Sequence, residues 1–542
     1  MNNGTDFTPW PDELAQSYTE QGIWAGKTFG TVLHDVAAST PDAVAVIDAE
    51  QTWTFRELDS RVDALASGFH DRGIGTGDRV LLQLPNIAEF VEITFALFRS
   101  GAVPVFALPA HRSTELTAIA AASGAIAMIV TDQHLDLALE TREVTDGLDA
   151  VILVGPSEKD TAKVNTLDAF RTPDGQLPDG PKASDVAFLQ LSGGSTGIPK
   201  LIPRTHDDYL YSVVRSAEIC ELNSNSVYMA TLPVAHNFPM SSPGILGAIT
   251  VGGTVALAAA PSPDVAFPMI ERAGVTITGL VPPLARLWTE TRERGNAADL
   301  SSLKTLQVGG ARCPDELAQR IDAAFDGALQ QVFGMAEGLV CYTRLDDPRE
   351  QVTTTQGRPM SPHDQIRLVD ENDDDVPAGE AGALITQGPY TIRGYFRNEE
   401  ANARSFTADG WYRTGDMARL DSAGNVIVTG RAADHVNRGG EKVSAEELEE
   451  HLLAHPQVRD AVVAAVPDKY LGQRTCAFVI AVNPDEPPKQ GAVRKFVRER
   501  GLAEWKIPDL VRVIDSFPET GVGKTSRKDL RVALTAQGEG TN

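Results

Sequence analysis

Short β-branched runs alternate with longer amphipathic stretches through roughly the first 430 residues, and this alternation constrains the fold more than any other feature of the chain. VAVIDA (44–49) leads into the helical pattern FRELDSRVDALASGFHDRG, and RVLLQLP (79–85) leads into EFVEITFALFRSG. PVFAL, a helix opening at Ser113, and AMIVTD follow. VAFLQL (186–191), TVALAA (254–259) and VTITGLVP (275–282) are further strand candidates, each followed by polar or helical sequence. Repetition of that unit predicts parallel sheets with helices on their faces. Beyond about residue 356 the texture changes. QIRLVDENDDDVPAGEAGALITQG and MARLDSAGNVIVTGR read as strands joined by tight Asp/Asn/Gly turns, the signature of an antiparallel, barrel-like section. From Ser444 the order is helix, strand, strand, helix, strand, which predicts a small α/β domain. The fold class is therefore α/β: a large N-terminal domain of two parallel-type sheets plus a small barrel-like section, then a small α/β C-terminal domain. The boundary is placed in GRAADHVN, giving domains 1–432 and 433–542.

A length of 542 residues is ample for a large core. Acidic residues outnumber basic ones 74 to 48, a formal charge of −26. Such a surface repels phosphate backbones and anionic lipid, which argues against a nucleic-acid or membrane-surface role. The four cysteines (Cys220, Cys313, Cys341, Cys476) show no metal-ligand or CxxC spacing and point to a reducing cytoplasm. The opening MNNGTDFTPWPDE carries neither a basic nor an apolar leader pattern, so a cytoplasmic protein is expected. The stretch His236 to Pro263 contains no Asp, Glu, Lys or Arg, yet Pro239, Pro243 and Gly252-Gly253 interrupt it. It reads as a buried helix followed by a buried strand, not a membrane span.

The most informative segment is LSGGSTGIPKLIPRTH (191–206), directly after a strand candidate. Ser192, Gly193, Gly194, Ser195, Thr196, Gly197 and Lys200 fall within nine positions. Glycines let backbone N–H groups converge, and hydroxyls add donors, so the loop can wrap phosphate oxygens. It is no Walker A loop, because Lys200 lies between Pro199 and Leu201.

SGGSTGIPK resembles the phosphate loop of the adenylate-forming enzymes, and that family's later signatures follow in order. FGMAEG (333–338) resembles the segment whose Glu serves magnesium, here Glu337; GWYRTGD (410–416) resembles the one whose Asp holds the ribose, here Asp416. GRAADHVNRGGEKVSAEELE (430–449) resembles the hinge and thioester-forming segment, with Arg431 as a second ribose contact. ETGVGKTSRKDL (519–530) resembles the C-terminal catalytic loop, with Lys524. Within the family the chain is most similar to the stand-alone aryl-acid ligases of siderophore synthesis, through FTPWPDELAQSY, LPAHRSTEL, AHNFPMSSPGILG, QVGGAR and VFGMAEGLVCYTRLDD.

The resemblance implies that ATP and an aryl carboxylate condense to aryl-AMP and pyrophosphate, with Mg2+ as metal, and that the aryl group passes to a phosphopantetheinylated aryl carrier protein. It implies 2,3-dihydroxybenzoate as the acid, because salicylate-using relatives tend to carry Cys where Ser242 stands. Nucleotide contacts are implied for the phosphate loop, Gly309, Gly310, Ala311, Val332, Phe333, Gly334, Met335, Ala336, Asp416, Val428, Arg431 and Lys524. Acid contacts are implied for His236, Asn237, Phe238, Ser242, Gly309 and Val340. Lys524, His236 and Glu337 form the catalytic set, His236 as a gating residue without an acid–base role. Arg438, Gly439, Gly440, Glu441 and Lys442 form the thioester-forming face.

These residue types suit those roles. Attack of a carboxylate on the α-phosphorus loads negative charge on phosphoryl oxygens, which a lysine and Mg2+ offset. One carboxylate suffices as a protein anchor for Mg2+. A hydroxylated benzoate needs an apolar slot with a few donors and acceptors at its edge. Ordinary structural roles stand beside these: a helix-start Glu for Glu337, a turn Asp for Asp416, a core imidazole for His236, and an N-cap for Ser242 with Pro243 at N1. One departure concerns the hinge, where the family usually has Lys or Asp two residues after GR and this chain has Ala433, then Asp434. The same-class alternatives are a salicylate-AMP ligase and an aryl-CoA ligase using free CoA; the different-class one is a silent adenylate- or aryl-acid-binding protein.

Overall fold

The computed structural model describes residues 6–159, 161–173, 175–192, 200–431, 436–438, 441–468, 471–500, 502, 504–518 and 529–530. Two large sheets carry the N-terminal domain. The first runs Asn165–Thr166, Ala150–Val154, Ala127–Thr131, Arg79–Gln83, Val103–Phe106, Val186–Leu191 and Leu201–Thr205; its pairs are parallel except the last. The second runs Arg358–Pro359, Val340–Tyr342, Leu329–Gly334, Thr305–Gly309, Ile277–Leu280, Val227–Ala230, Thr254–Leu257, Val44–Ile47 and Thr52–Thr54. Its interior pairs are parallel and its end pairs antiparallel.

Local sequence explains the helices between them. Phe55–Asp71 begins at a capping box in which the Thr54 hydroxyl accepts from Glu57 N while the Glu57 carboxylate accepts from Thr54 N. Ala88–Ser100 is apolar nearly all round, and it is buried on nearly every face. Its Phe98 packs against Phe29, Phe188 and His206, which joins the helical layer to the first sheet.

The uncharged stretch after His236 departs from expectation in one respect. It forms two short buried helices, Asn237–Ser241 and Gly244–Thr250, before the strand Thr254–Leu257. The break falls at Ser242-Pro243, a cis peptide. Proline has no N–H to continue the first helix. Ser242 therefore ends that helix, its N–H donating to Phe238 O at 3.2 Å, and Pro243 takes the cap position of the next. The N-cap role considered for Ser242 is not the one observed. Among the described residues no helix is long and apolar enough to cross a membrane.

The barrel-like section is an antiparallel meander of Gln365–Val369, Gly382–Gln387, Tyr412–Leu420 and Val426–Arg431. Backbone bonds between Gln356 N and Val426 O (2.9 Å) and between Val426 N and Gly357 O (2.7 Å) fix it to the large domain. The small C-terminal domain pairs Val458–Asp468 with Gly472–Ala481, to which Val436–Arg438 and Leu510–Val513 add. Helices Ala445–Leu453 and Gln490–Glu499 pack Leu448, Leu452, Val493 and Val497 onto Val463 and Val479. Arg286 donates to Arg459 O (2.5 Å), and Arg312 bridges Asp315 (2.9 Å) and Glu450 (3.2 Å), so two arginines of the large domain hold the small one. The boundary expected at 432/433 lies at residues 432–435, outside the described residues.

Candidate active site

The strand Val186–Leu191 and its antiparallel partner Leu201–Thr205 define where the Gly/Ser-rich loop leaves and re-enters the sheet. A double clasp closes its base: Ser192 N donates to Lys200 O, and Lys200 N to Ser192 Oγ, each at 3.0 Å. Gly193, Gly194, Ser195, Thr196 and Gly197 lie outside the described residues, but the clasp sets both ends of their loop. Immediately beyond it, the Lys200 ammonium donates to the Tyr395 hydroxyl at 2.8 Å and sits 4.0 Å from that ring's centroid. Tyr395 in turn donates to Glu337 Oε1 at 2.9 Å, and its oxygen is 3.2 Å from the Tyr412 hydroxyl. Glu337 is 7% exposed, buried beside these hydroxyls instead of lying on a helix surface. Burial holds the Lys200 amine below its ordinary range, and the nearby Glu337 charge partly opposes that.

Arg204 supports this corner from beneath. It is fully buried, pairs with Asp208 at 2.8 Å, and donates to Ala336 O (2.6 Å) and Tyr390 O (2.8 Å). Ile392 N donates to Glu337 O at 2.8 Å, so the Met335–Ala336–Glu337 turn is fixed by its backbone on both sides.

Asp416 lies inside the strand Tyr412–Leu420, 7% exposed, directly across from Arg431 in the antiparallel register. It is not a turn residue. Gly415 before it has φ +77, a conformation in which a side chain would be strained. Val428, two register places away, packs with Leu339, Cys341 and Ala418.

The second cluster sits at the carboxyl ends of parallel strands, where open α/β sheets place their crevices. The Phe238 ring lies over two glycines: a Cβ on Gly279 would be 3.0 Å from Phe238 Cζ, and one on Gly309 would be 3.3 Å from the same atom. Gly334 similarly faces Val340, at 3.1 Å. Glycine at these strand positions therefore makes room for flat apolar groups. Val332, Phe238 and Val340 belong to the main core, while Gly310 and Ala311 are exposed just past Gly309. Asn237 Oδ1 accepts from the Tyr209 hydroxyl at 2.7 Å, which leaves the amide NH2 available to donate elsewhere. His236 caps the same helix, its Nδ1 accepting from Phe238 N at 3.2 Å. Ser242 is buried at the helix end.

The remaining expected residues belong to the C-terminal part. Arg438 makes a bidentate pair with Asp509, at 2.8 to 3.1 Å. The backbones of Glu441 and Lys442 pair across from Arg438 and Asn437. Gly439, Gly440, Ala433, Asp434 and Lys524 lie outside the described residues.

Residues 33–396 match the AMP-binding enzyme family, and residues 447–524 match the AMP-binding enzyme C-terminal domain. The chain belongs to the AMP-binding enzyme family. It is 54% identical over 534 residues to the 2,3-dihydroxybenzoate-AMP ligase of Bacillus subtilis (strain 168), covering 98% of both chains. It is 47% identical to the vibriobactin-specific 2,3-dihydroxybenzoate-AMP ligase of Vibrio cholerae serotype O1, covering 97% of each. Among solved structures, apo MbtA of Mycobacterium smegmatis superposes with a TM-score of 0.76 at 46% identity, covering 98% of this chain and 99% of that one.

As a member of the AMP-binding family the chain is an ATP-dependent ligase that works with Mg2+. The groups around Glu337 fit that ion: the carboxylate and the Tyr395 and Tyr412 hydroxyls are hard oxygen ligands or their supports.

Sequence reasoning missed Tyr395, Tyr209, Arg204 and Gly279. Arg204 carried a readable signal, a charge within the otherwise apolar strand LIPRT. The other three matter through partners 28 to 195 residues away, or 41 for the glycine, and no local pattern announces them.

Proposed function

We propose that this chain activates 2,3-dihydroxybenzoate with ATP and transfers the aryl group to the phosphopantetheine thiol of an aryl carrier protein in siderophore biosynthesis. A carboxylate oxygen attacks the α-phosphorus, the bond to the β-phosphate oxygen breaks, and pyrophosphate leaves. The carrier thiolate then attacks the acyl carbon, the acyl–phosphate bond breaks, and AMP leaves. The observation that carries this reading is the likeness to a 2,3-dihydroxybenzoate-AMP ligase along almost the whole of both chains.

In this reading Asn237 donates its amide hydrogens to the acid's carboxylate and 2-hydroxyl, and Ser242 meets the 3-hydroxyl. Phe238, Val340 and the Gly309 backbone wall the ring, with His236 as a gate toward the nucleotide. Gly310, Ala311 and the 332–336 segment contact the adenylate, with Val428 behind them. Asp416 accepts hydrogen bonds from the ribose hydroxyls beside Arg431; a buried carboxylate next to a glycine is well suited to that. The Ser192–Lys200 loop grips the phosphates. Glu337 would hold Mg2+, which when bound supplies charge neutralisation at the phosphates. Lys524 bridges carboxylate and α-phosphate.

The two half-reactions need different faces of residues 433–542, with the pivot at Ala433 or Asp434. Residues 438–442 would approach the pantetheine arm, with the Arg438–Asp509 pair holding the end of the strand Val436–Arg438 in place. The acidic surface and buried thiols support a cytoplasmic setting.

Mass spectrometry of a phosphopantetheinylated aryl carrier domain incubated with enzyme, Mg2+, ATP and 2,3-dihydroxybenzoate tests the second half. The reading expects a single dihydroxybenzoyl addition that depends on ATP. Efficient thioester formation on free CoA, with none on the carrier, would replace it by the CoA-ligase reading.

A further inference from the structure

Lys200 and Glu337 carry opposite charges in a half-buried corner, and the Tyr395 hydroxyl stands between them. Its oxygen receives the Lys200 ammonium at 2.8 Å, and its one hydrogen goes to Glu337 Oε1 at 2.9 Å. The Tyr412 hydroxyl lies 3.2 Å from the same oxygen, so polar groups surround it on three sides. The ring supports the arrangement too: Lys200 lies over its face, and Phe406 packs edge-on to it at 6.0 Å. A tyrosine thus fixes the direction of one carboxylate oxygen and keeps a lysine from closing directly onto it.

We infer that Tyr395 is a positioning residue for the metal step: its hydroxyl aims the Glu337 carboxylate and holds Lys200 off it, so that the second carboxylate oxygen stays open to Mg2+. The inference rests on the function proposed above, in which Glu337 serves the metal. Without the hydroxyl, Lys200 and Glu337 form a direct ion pair, and Mg2+ must displace an ammonium to reach its ligand. Hydrogen-bonding partners behind a metal ligand commonly change metal affinity by about 10- to 100-fold.

The test is Tyr395→Phe, which keeps the ring and removes the hydroxyl, in the full chain. Calorimetric titration with α,β-methylene-ATP at a series of Mg2+ concentrations, without acid, reads binding and not turnover. The Mg2+ concentration that half-saturates the gain in nucleotide affinity should rise about tenfold or more in the variant. Mg2+-free affinity should fall by clearly less than that, because Lys200 is the one described residue of the phosphate loop that loses a partner. Equal Mg2+ dependence in both proteins overturns the inference. So does an equal loss of affinity with and without Mg2+, or a variant that fails to fold, since either assigns the hydroxyl to the scaffold. If wild-type protein shows no Mg2+-dependent binding at all, the proposed function itself fails, and the two failures are told apart by that control.

Discussion

Gly279→Ala offers a graded push on the acid slot from a residue that contacts no nucleotide group in the proposed site. The added Cβ would stand 3.0 Å from Phe238 Cζ and 3.3 to 3.5 Å from the neighbouring ring carbons. Ordinary carbon contacts begin near ~3.5 Å, so the ring must retreat by a few tenths of an ångström. The same atom lies over Gly309, where a Cβ would be 3.3 Å away, so the ring must lift off this face of the sheet, and it is otherwise nearly sealed within the core. It therefore moves toward the acid slot. Overpacking of this size costs about 1–3 kcal/mol, and the lower 1–2 kcal/mol corresponds to roughly a 5- to 30-fold change in an equilibrium. The expected outcome is a rise of that size in KM for 2,3-dihydroxybenzoate, with KM for ATP within about twofold of wild type, in steady-state pyrophosphate release assays. Equal rises in both constants, or no change in the acid constant with an unchanged melting temperature, would refute the placement of Phe238 at the slot.

Three further outcomes are expected. Tyr209→Phe removes the hydroxyl that fixes Asn237 Oδ1, lets the amide turn, and should raise KM for the acid by about 5- to 10-fold, the value of a net hydrogen bond of about 1 kcal/mol or slightly more. Arg204→Met leaves Asp208 buried without its cation and should destabilise the fold by about 3–5 kcal/mol, read by denaturant titration; a loss under ~1 kcal/mol would contradict the buried pair. Burial depresses the His206 imidazole to about 3, so the unfolded chain takes up a proton near pH 6.5 that the native protein refuses. That stability is complete above about pH 6.5 and falls as the pH drops toward 3, by roughly 2 kcal/mol at pH 5. His206→Asn, which keeps an acceptor for Phe29 N, should flatten the acid limb of a melting-temperature profile, and an unchanged limb would contradict it.

The sequence made the elements legible wherever hydrophobic period and punctuation agreed. VAFLQL is the strand Val186–Leu191 residue for residue, and the helix expected from Ser113 starts there. The C-terminal order of helix, two strands, helix and strand is found as read. Sheet membership was not legible. Val44–Ile47 pairs with Thr254–Leu257, more than 200 residues away, while the next parallel strand, Arg79–Gln83, belongs to the other sheet. Nothing in either run specifies that partner, because strands buried on both faces read alike. The break at Ser242-Pro243 was signalled by its proline, but the residue's helix-ending role depends on the bond to Phe238 O, a matter of which helix the serine joins.

The site shows the same division. Residues in compact motifs were singled out from sequence: Glu337 and Asp416 are buried, and Asn237 is half-buried with its side-chain oxygen held by Tyr209. The groups that orient them, Tyr395 for Glu337 and Tyr209 for Asn237, sit on separate elements and become visible only when the sheets are assembled. Orientation is a property of tertiary contacts, whereas chemical type is written in the motif.

The central claim is that the chain adenylates 2,3-dihydroxybenzoate. ATP–pyrophosphate exchange across a panel of benzoates tests it most directly, with 2,3-dihydroxybenzoate, salicylate, benzoate and anthranilate each supplied with Mg2+ and ATP. The account predicts exchange that requires an aryl acid, with kcat/KM for 2,3-dihydroxybenzoate exceeding that for salicylate by roughly 5- to 150-fold, the cost of a site built to hydrogen-bond the 3-hydroxyl losing that bond. Exchange that is absent with all four acids, or that favours salicylate, would contradict it.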